Sequence, residues 1–186
     1  MHPYRMQQLI KERGKDEVIN VRQRASLYQT IDRLLRAKLI AVRETARAEK
    51  RPERTIYELT EEGREAIRLW MREMLSTPAR EFPDFPAALA HLPLLAPGDA
   101  RAQLDRRAHA LMAELDRIDA ELGRAVGVIP RLFLVEMEYL RAMVETELGW
   151  VRSIVDDLDA GRLTWSEKWL HAIAEQLGQA EQQQES

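Results

Sequence analysis

The chain has 186 residues, 45% of them apolar and 32% charged, which is enough to bury a core in one medium domain or two small ones. It contains no cysteine, so disulfides, thiol chemistry and thiolate metal sites are excluded, and it has no apolar run of the roughly 18 to 20 residues that a membrane span needs. The net charge of −3 hides an asymmetry: residues 1–57 carry 14 Lys and Arg against 7 Asp and Glu, whereas residues 58–186 carry 14 against 24. One end attracts polyanions and the other repels them. The opening Met1-His2-Pro3-Tyr4-Arg5 lacks the apolar core of a secretory signal. The expectation is a soluble cytoplasmic protein with no membrane partner.

Tyr4 to Arg13 reads as a short helix with Met6, Leu9 and Ile10 on one side and Gly14 as its stop. After a polar connection, a second helix is predicted from Ser26, as N-cap, to about Lys38. Leu27, Ile31, Leu34 and Leu35 form its apolar stripe, and Gln29, Arg33 and Arg36 lie on the opposite side. The period then changes. Leu39 to Thr45 and Thr55 to Leu59 read as two strands, joined by the charged, proline-broken stretch 46–54, a hairpin with a basic loop. Thr60 then caps a helix reaching to about Leu75. Helix, helix, strand, basic loop, strand, helix is the order of a winged helix-turn-helix. A major groove about 12 Å wide admits one helix whose polar face meets base edges, and a neighbouring basic hairpin reaches the backbone.

Residues 77–97, with five prolines, read as a linker holding one short apolar helix from Ala87 to Leu92. A long helix is predicted from Pro97, with Leu104, Ala108, Leu111, Leu115, Ile118 and Leu122 in a heptad seam that Gly123 and Gly127 break. Pro130 opens another helix to about Asp159. Phe133, Met137, Leu140, Val144, Val151, Ile154 and Leu158 form one seam on it, interrupted by Glu147, and Leu132, Tyr139, Met143 and Trp150 occupy a neighbouring face. A helix apolar on two sides needs two partners. One is the preceding helix, and the other is a second subunit. Thr164-Trp165-Ser166-Glu167 fits a capping box that starts a final helix carrying Trp169, Leu170, Ile173 and Leu177, and residues 180–186 read as a disordered tail.

Three sequence words carry a resemblance over residues 2–75. His2-Pro3-Tyr4 followed by Leu9-Ile10, then Ser26-Leu27-Tyr28 with Ile31, Leu34, Leu39 and Ile40, and then Arg51-Pro52-Glu53-Arg54-Thr55-Ile56-Tyr57-Glu58-Leu59-Thr60-Glu61-Glu62-Gly63 resemble the PadR-type transcriptional regulators. Residues 86–177 are similar in layout to the longer helical C-terminal domain of some members. The family pattern places an apolar helix ahead of His-x-Tyr, whereas this sequence begins at Met1-His2, so the expectation is either a true start further upstream or a winged domain that lacks that helix. The expected fold is mainly α, a winged helix-turn-helix with a two-stranded wing over 1–76 and an all-helical dimerisation domain over 98–179.

The resemblance implies that Ser26, Tyr28 and Gln29 face double-stranded DNA, with Arg22, Arg24 and Arg33 at phosphates; the other reading packs Tyr28 against the wing and leaves Ser26 as only a cap. Lys50, Arg51 and Arg54 on the hairpin are read either as phosphate or minor-groove contacts or as a solvated tip. It further implies a homodimeric repressor on a pseudo-palindromic operator. Phe133, Met137, Leu140, Val144, Trp150, Val151 and Ile154 are the candidate dimerisation residues. Phe133, Tyr139, Trp150, Trp165 and Trp169 are read as packing or as the lining of a pocket for a small aromatic effector. His2, His91, His109 and His171 show no metal spacing, and neither a catalytic constellation nor a glycine-rich phosphate loop is present, so neither enzyme nor cofactor is expected. Two other readings keep the winged fold: a protein-interaction module that does not bind DNA, and a different, MarR-like regulator.

Overall fold

A computed structural model describes residues 1–12, 14–15, 24–46 and 54–184, with the backbone alone at 24–26, 45–46, 54 and 179–184. The chain divides into two compact units, Met1–Glu81 and Phe82–Ser186.

The first unit comprises α1 (Pro3–Glu12), α2 (Arg24–Arg36), the antiparallel strands β1 (Ile40–Ala46) and β2 (Arg54–Leu59), and α3 (Glu61–Ser76). The word His2-Pro3-Tyr4 has a local reason. The His2 ring Nδ1 accepts the Tyr4 amide at 3.2 Å, and Pro3, which has no amide to satisfy, sits buried at the first helical position. Met1 lies against β2: its carbonyl accepts the Tyr57 amide at 3.1 Å and its ammonium donates to the Tyr57 carbonyl. Helix α2 begins two residues before Ser26, so Ser26 lies inside it and is not the N-cap expected. At its far end Lys38 adopts φ 59°, and the Lys38 and Leu39 amides reach back to the carbonyls of Leu35 and Leu34, both at 2.9 Å. That left-handed cap turns the chain directly into β1.

The ladder runs from Ile40 opposite Leu59 to Ala46 opposite Arg54, with an irregularity between Val42 and Glu44. The extra residue, Arg43, lies on β1 and breaks the regular alternation of faces along that strand. Thr60 caps α3 as the sequence predicts, its hydroxyl accepting the Gly63 amide at 3.0 Å and donating to the Lys38 carbonyl at 2.8 Å. Gly63 cannot carry a side chain here, because a Cβ would stand 1.9 Å from the Leu39 carbonyl oxygen. The start of α3 is thereby pressed onto the turn between α2 and β1.

The second unit comprises α4 (Asp84–Ala90), a 3₁₀ turn at Leu92–Leu94, α5 (Pro97–Ala125), a 3₁₀ turn at Arg131–Phe133, α6 (Val135–Asp159) and α7 (Glu167–Gln184). Helices α5 and α6 pair as an antiparallel hairpin around Leu104, Ala108, Leu148, Val151 and Val155, with Leu111, Leu115, Ile154 and Leu158 packed alongside. Charged pairs along the seam set its register: Arg101 with Asp159 at 2.9 Å, Arg107 with Glu147 at 2.5 Å and Arg141 with Asp119 at 2.5 Å. Glu147 therefore interrupts the apolar seam because it meets Arg107 across the hairpin. Beside the second turn, the Arg131 guanidinium hydrogen-bonds the Glu138 carboxylate and holds its pKa below the ordinary carboxylate range.

Several local expectations are corrected. Gly123 lies within α5, and the break comes at Gly127, with φ 81°. Pro130 opens a 3₁₀ turn rather than a long helix, which leaves Phe133 off α6. Ser166 caps α7, its hydroxyl accepting the Trp169 amide at 3.2 Å, in place of Thr164. Helix α7 runs to Gln184, where the sequence predicts a tail from residue 180. The short helix expected within a linker starts three residues earlier, at Asp84, and its Phe85 and Leu89 pack on the α5–α6 core.

Candidate nucleic-acid interface

Helix α2 is amphipathic. Ile31 is buried and Leu27, Leu34 and Leu35 are half-buried, which fixes the rotation of the helix. Gln29, Arg33 and Arg36 project on the opposite side at spacings of four and three, one row along the helix, and all three are exposed. Tyr28 flanks that row and is 53% exposed. Arg33 makes no ion pair among the described residues, and Arg36 donates only to the Asp32 carbonyl of its own helix, at 3.3 Å. A row of one amide and two guanidiniums without an ion pair among the described residues can donate to phosphate oxygens and guanine edges, and the amide can also pair with adenine.

The structure thus places Tyr28, Gln29 and Arg33 on one helix with the charge-bearing side outward. Arg24 and Ser26 belong to the first turn of the same helix, described by backbone alone, and Arg54 opens β2 in the same way. Arg22, Lys50 and Arg51 lie outside the described residues. Arg36 belongs to the row and was legible, since it falls seven residues after Gln29 on the polar side. Arg43 is a further exposed cation, displaced at the bulge, with Glu58 no closer than 3.9 Å. The strands gave no signal for it, because a bulge is set by pairing and not by composition.

The candidate dimerisation residues do not share one environment. Val151 is fully buried in the α5–α6 core of its own chain, so it is unavailable to a second subunit. Met137, Leu140, Val144 and Ile154 are half-buried, whereas Phe133 and Trp150 are 62% and 44% exposed. The outward stripe of α6 is Val135, Tyr139, Met143 and Trp150, all exposed, and Trp169 and Leu177 of α7 are exposed as well. The five aromatic residues read as pocket candidates do not line one cavity. Trp165 donates its indole N–H to the Leu95 carbonyl at 2.9 Å beside Leu94 and Leu170, while Trp150 meets Phe85.

Residues 1–69 match the model of a family described as "Transcriptional regulator PadR-like family". Among solved structures, PadR of Bacillus subtilis in complex with operator DNA is 15% identical, over 85% of this chain and 89% of that one, with a TM-score of 0.64. The same Bacillus subtilis protein in complex with p-coumaric acid is 14% identical, over 86% of this chain and 90% of that one, with a TM-score of 0.67. A PadR-like transcriptional regulator from Bacillus cereus is 15% identical, over 72% and 75%, with a TM-score of 0.51. At these identities the likeness is one of fold. No curated protein matches the sequence.

Proposed function

We propose that this chain, which belongs to the PadR-like family of transcriptional regulators, acts as a homodimeric repressor that inserts α2 into the major groove of its operator. The observation that carries the reading is the outward row Gln29, Arg33 and Arg36, opposite the buried Ile31, in a unit whose sequence matches the family. Phosphate contacts from the arginines and the Tyr28 hydroxyl, with Arg22, Arg24, Lys50, Arg51 and Arg54 as further candidates, supply affinity, and Gln29 supplies contact at a base edge. Two winged units joined through their C-terminal units match an operator with two half-sites about one helical turn apart. The apolar stripe on α6 and the exposed aromatic of α7 are the surfaces offered for that pairing. Isologous contact of the same patch on both chains buries them. The likeness to a structure solved with p-coumaric acid supports a small aromatic effector, which acts by binding one dimer geometry more tightly than the other.

The test is an anisotropy titration of the purified chain against the DNA immediately upstream of its own gene, at two salt concentrations and with excess competitor. Tight, competitor-resistant binding that weakens steeply with salt is expected. Binding that competitor DNA abolishes equally at both salts contradicts a sequence-specific regulator and favours the interaction-module reading.

A further inference from the structure

We propose that α4 is a detachable strap: it undocks from the α5–α6 hairpin without unfolding it, and its docked or undocked state sets how far the winged unit reaches from the C-terminal unit. The undocking stands on the contacts of α4 alone; its consequence for an operator rests on the reading of the chain as a dimeric DNA-binding regulator.

A helix as short as α4 is not stable by itself in water, so its order depends on what holds it down. No residue of α4 is buried: Phe85 and Leu89 are half-buried and the rest are exposed. Pro83 precedes it without a side-chain cap, and Pro86 has no amide to donate. A cavity of about 420 Å³, lined by Ala88 and Leu89 on one side and by Ala100 and Leu104 on the other, lies between α4 and α5. Helix α4 is thus propped on a few side chains rather than close-packed, and segments with few apolar contacts open most readily.

The grip is concentrated on Phe85. The Arg107 guanidinium lies over its ring, 3.5 Å from the centroid, and the ring meets Trp150 edge-on, with centroids 6.1 Å apart and planes at 80°. Arg107 also donates to Glu147 at 2.5 Å, which ties the guanidinium to α6 and holds it over the ring. Arg107 is therefore a positioning residue that belongs to α5, pairs with α6 and carries α4 on its flat face. The other end of the strap is pinned, because the Trp165 indole N–H donates to the Leu95 carbonyl at 2.9 Å. With α4 docked, the connection 77–83 spans at most about 25 Å. With α4 undocked and its helix lost, the free chain 77–94 spans at most about 60 Å. Undocking replaces a short tether by a long one, and half-sites at different separations on a duplex call for different tethers.

The experiment is hydrogen exchange of the full chain without DNA, followed by mass spectrometry. The α4 amides are expected to exchange at least about a hundredfold faster than those of α5 between Leu104 and Leu111, after correction for intrinsic rates. Arg107→Lys keeps the charge opposite Glu147 but lacks the flat guanidinium, and is expected to speed α4 exchange about threefold or more while α5 exchange stays the same. Ala88→Leu adds apolar surface on the cavity side and is expected to slow α4 exchange about tenfold. Exchange of α4 together with α5 in the parent chain overturns the undocking, and so does α4 exchange indifferent to both variants. Reach is read separately. The chain has no cysteine, so spin labels at Glu73→Cys in α3 and Asp116→Cys in α5 are specific. Labelled chain diluted into unlabelled chain then gives the distance within one molecule. Arg107→Lys and Phe85→Ala are expected to broaden that distribution toward longer distances, and Ala88→Leu to narrow it. Equal widths in the parent chain and all three variants overturn the control of reach. Neither measurement involves DNA, so failure of the operator reading and failure of the strap are separately visible.

Discussion

Gly63 carries more of the winged unit than its size suggests. A Cβ there would collide with backbone, the Leu39 carbonyl at 1.9 Å, which cannot swing aside as a flexible side chain could. Gly63→Ala is therefore expected to cost about 3 kcal/mol, at the upper end for overpacking, and to lower the melting transition of the winged unit by roughly 12 to 24 °C in calorimetry of the full chain. Gly123 is the contrasting case. It sits in α5 with nothing within 4 Å of a built Cβ. Gly123→Ala should stabilise the chain by about 0.5 to 1 kcal/mol, because an alanine restricts the unfolded chain and favours helix. A destabilised Gly123→Ala would show that its open surroundings are filled in solution. Both glycines stand in the sequence as one letter. Only Gly63, inside the word Leu-Thr-Glu-Glu-Gly, was legible as special, and the reason, a carbonyl 24 residues earlier, is a tertiary fact.

At the scale of elements, the sequence was most informative where one physical signal dominated. The stripe Leu27, Ile31, Leu34 and Leu35 fixed both the helix and its outward row, and Thr60 with Gly63 marked the start of α3. Boundaries moved where two signals competed. Pro130 and the polar stretch before α2 are compatible with several starts, and the backbone chose a 3₁₀ turn in one place and an earlier helical turn in the other. The helix at Asp84–Ala90 was legible, but its role was not, because proline density suggests a linker whereas Phe85 and Leu89 pack onto a core that forms only after α5 and α6 pair. Val151 failed as an interface residue for a related reason: heptad periodicity finds apolar positions but does not say which of two seams faces the home chain. The corrected face leads to a direct test. Tyr139→Glu combined with Met143→Glu changes two exposed side chains outside the α5–α6 core, so the helical content should hold while sedimentation mass falls from dimer to monomer at micromolar concentration. A dimeric mass retained in that variant places the interface elsewhere.

For the whole molecule, the division of charge parallels the division of units. The basic excess of residues 1–57 lies in the winged unit, and the helical hairpin is held in register by its own ion pairs. Surface pairs of that kind contribute little stability each, so the hairpin depends on its apolar seam, and the acidic surplus keeps that unit away from phosphate. The family of transcriptional regulators that residues 1–69 match agrees with the sequence reading of a non-enzymatic, DNA-directed chain and sets aside the MarR-like alternative. The claim that matters most is that α2 meets DNA through its outward row. Its most direct measurement is the salt dependence of binding to a tight-binding duplex, compared between the parent chain and Arg33→Gln with Arg36→Gln. Each phosphate contact removed lowers the slope of log affinity against log salt by about 0.9. The account predicts weaker binding with a slope reduced by roughly 1 to 2, at unchanged melting temperature. Equal affinity and equal slope in the two proteins would contradict it, and would move the contact away from α2.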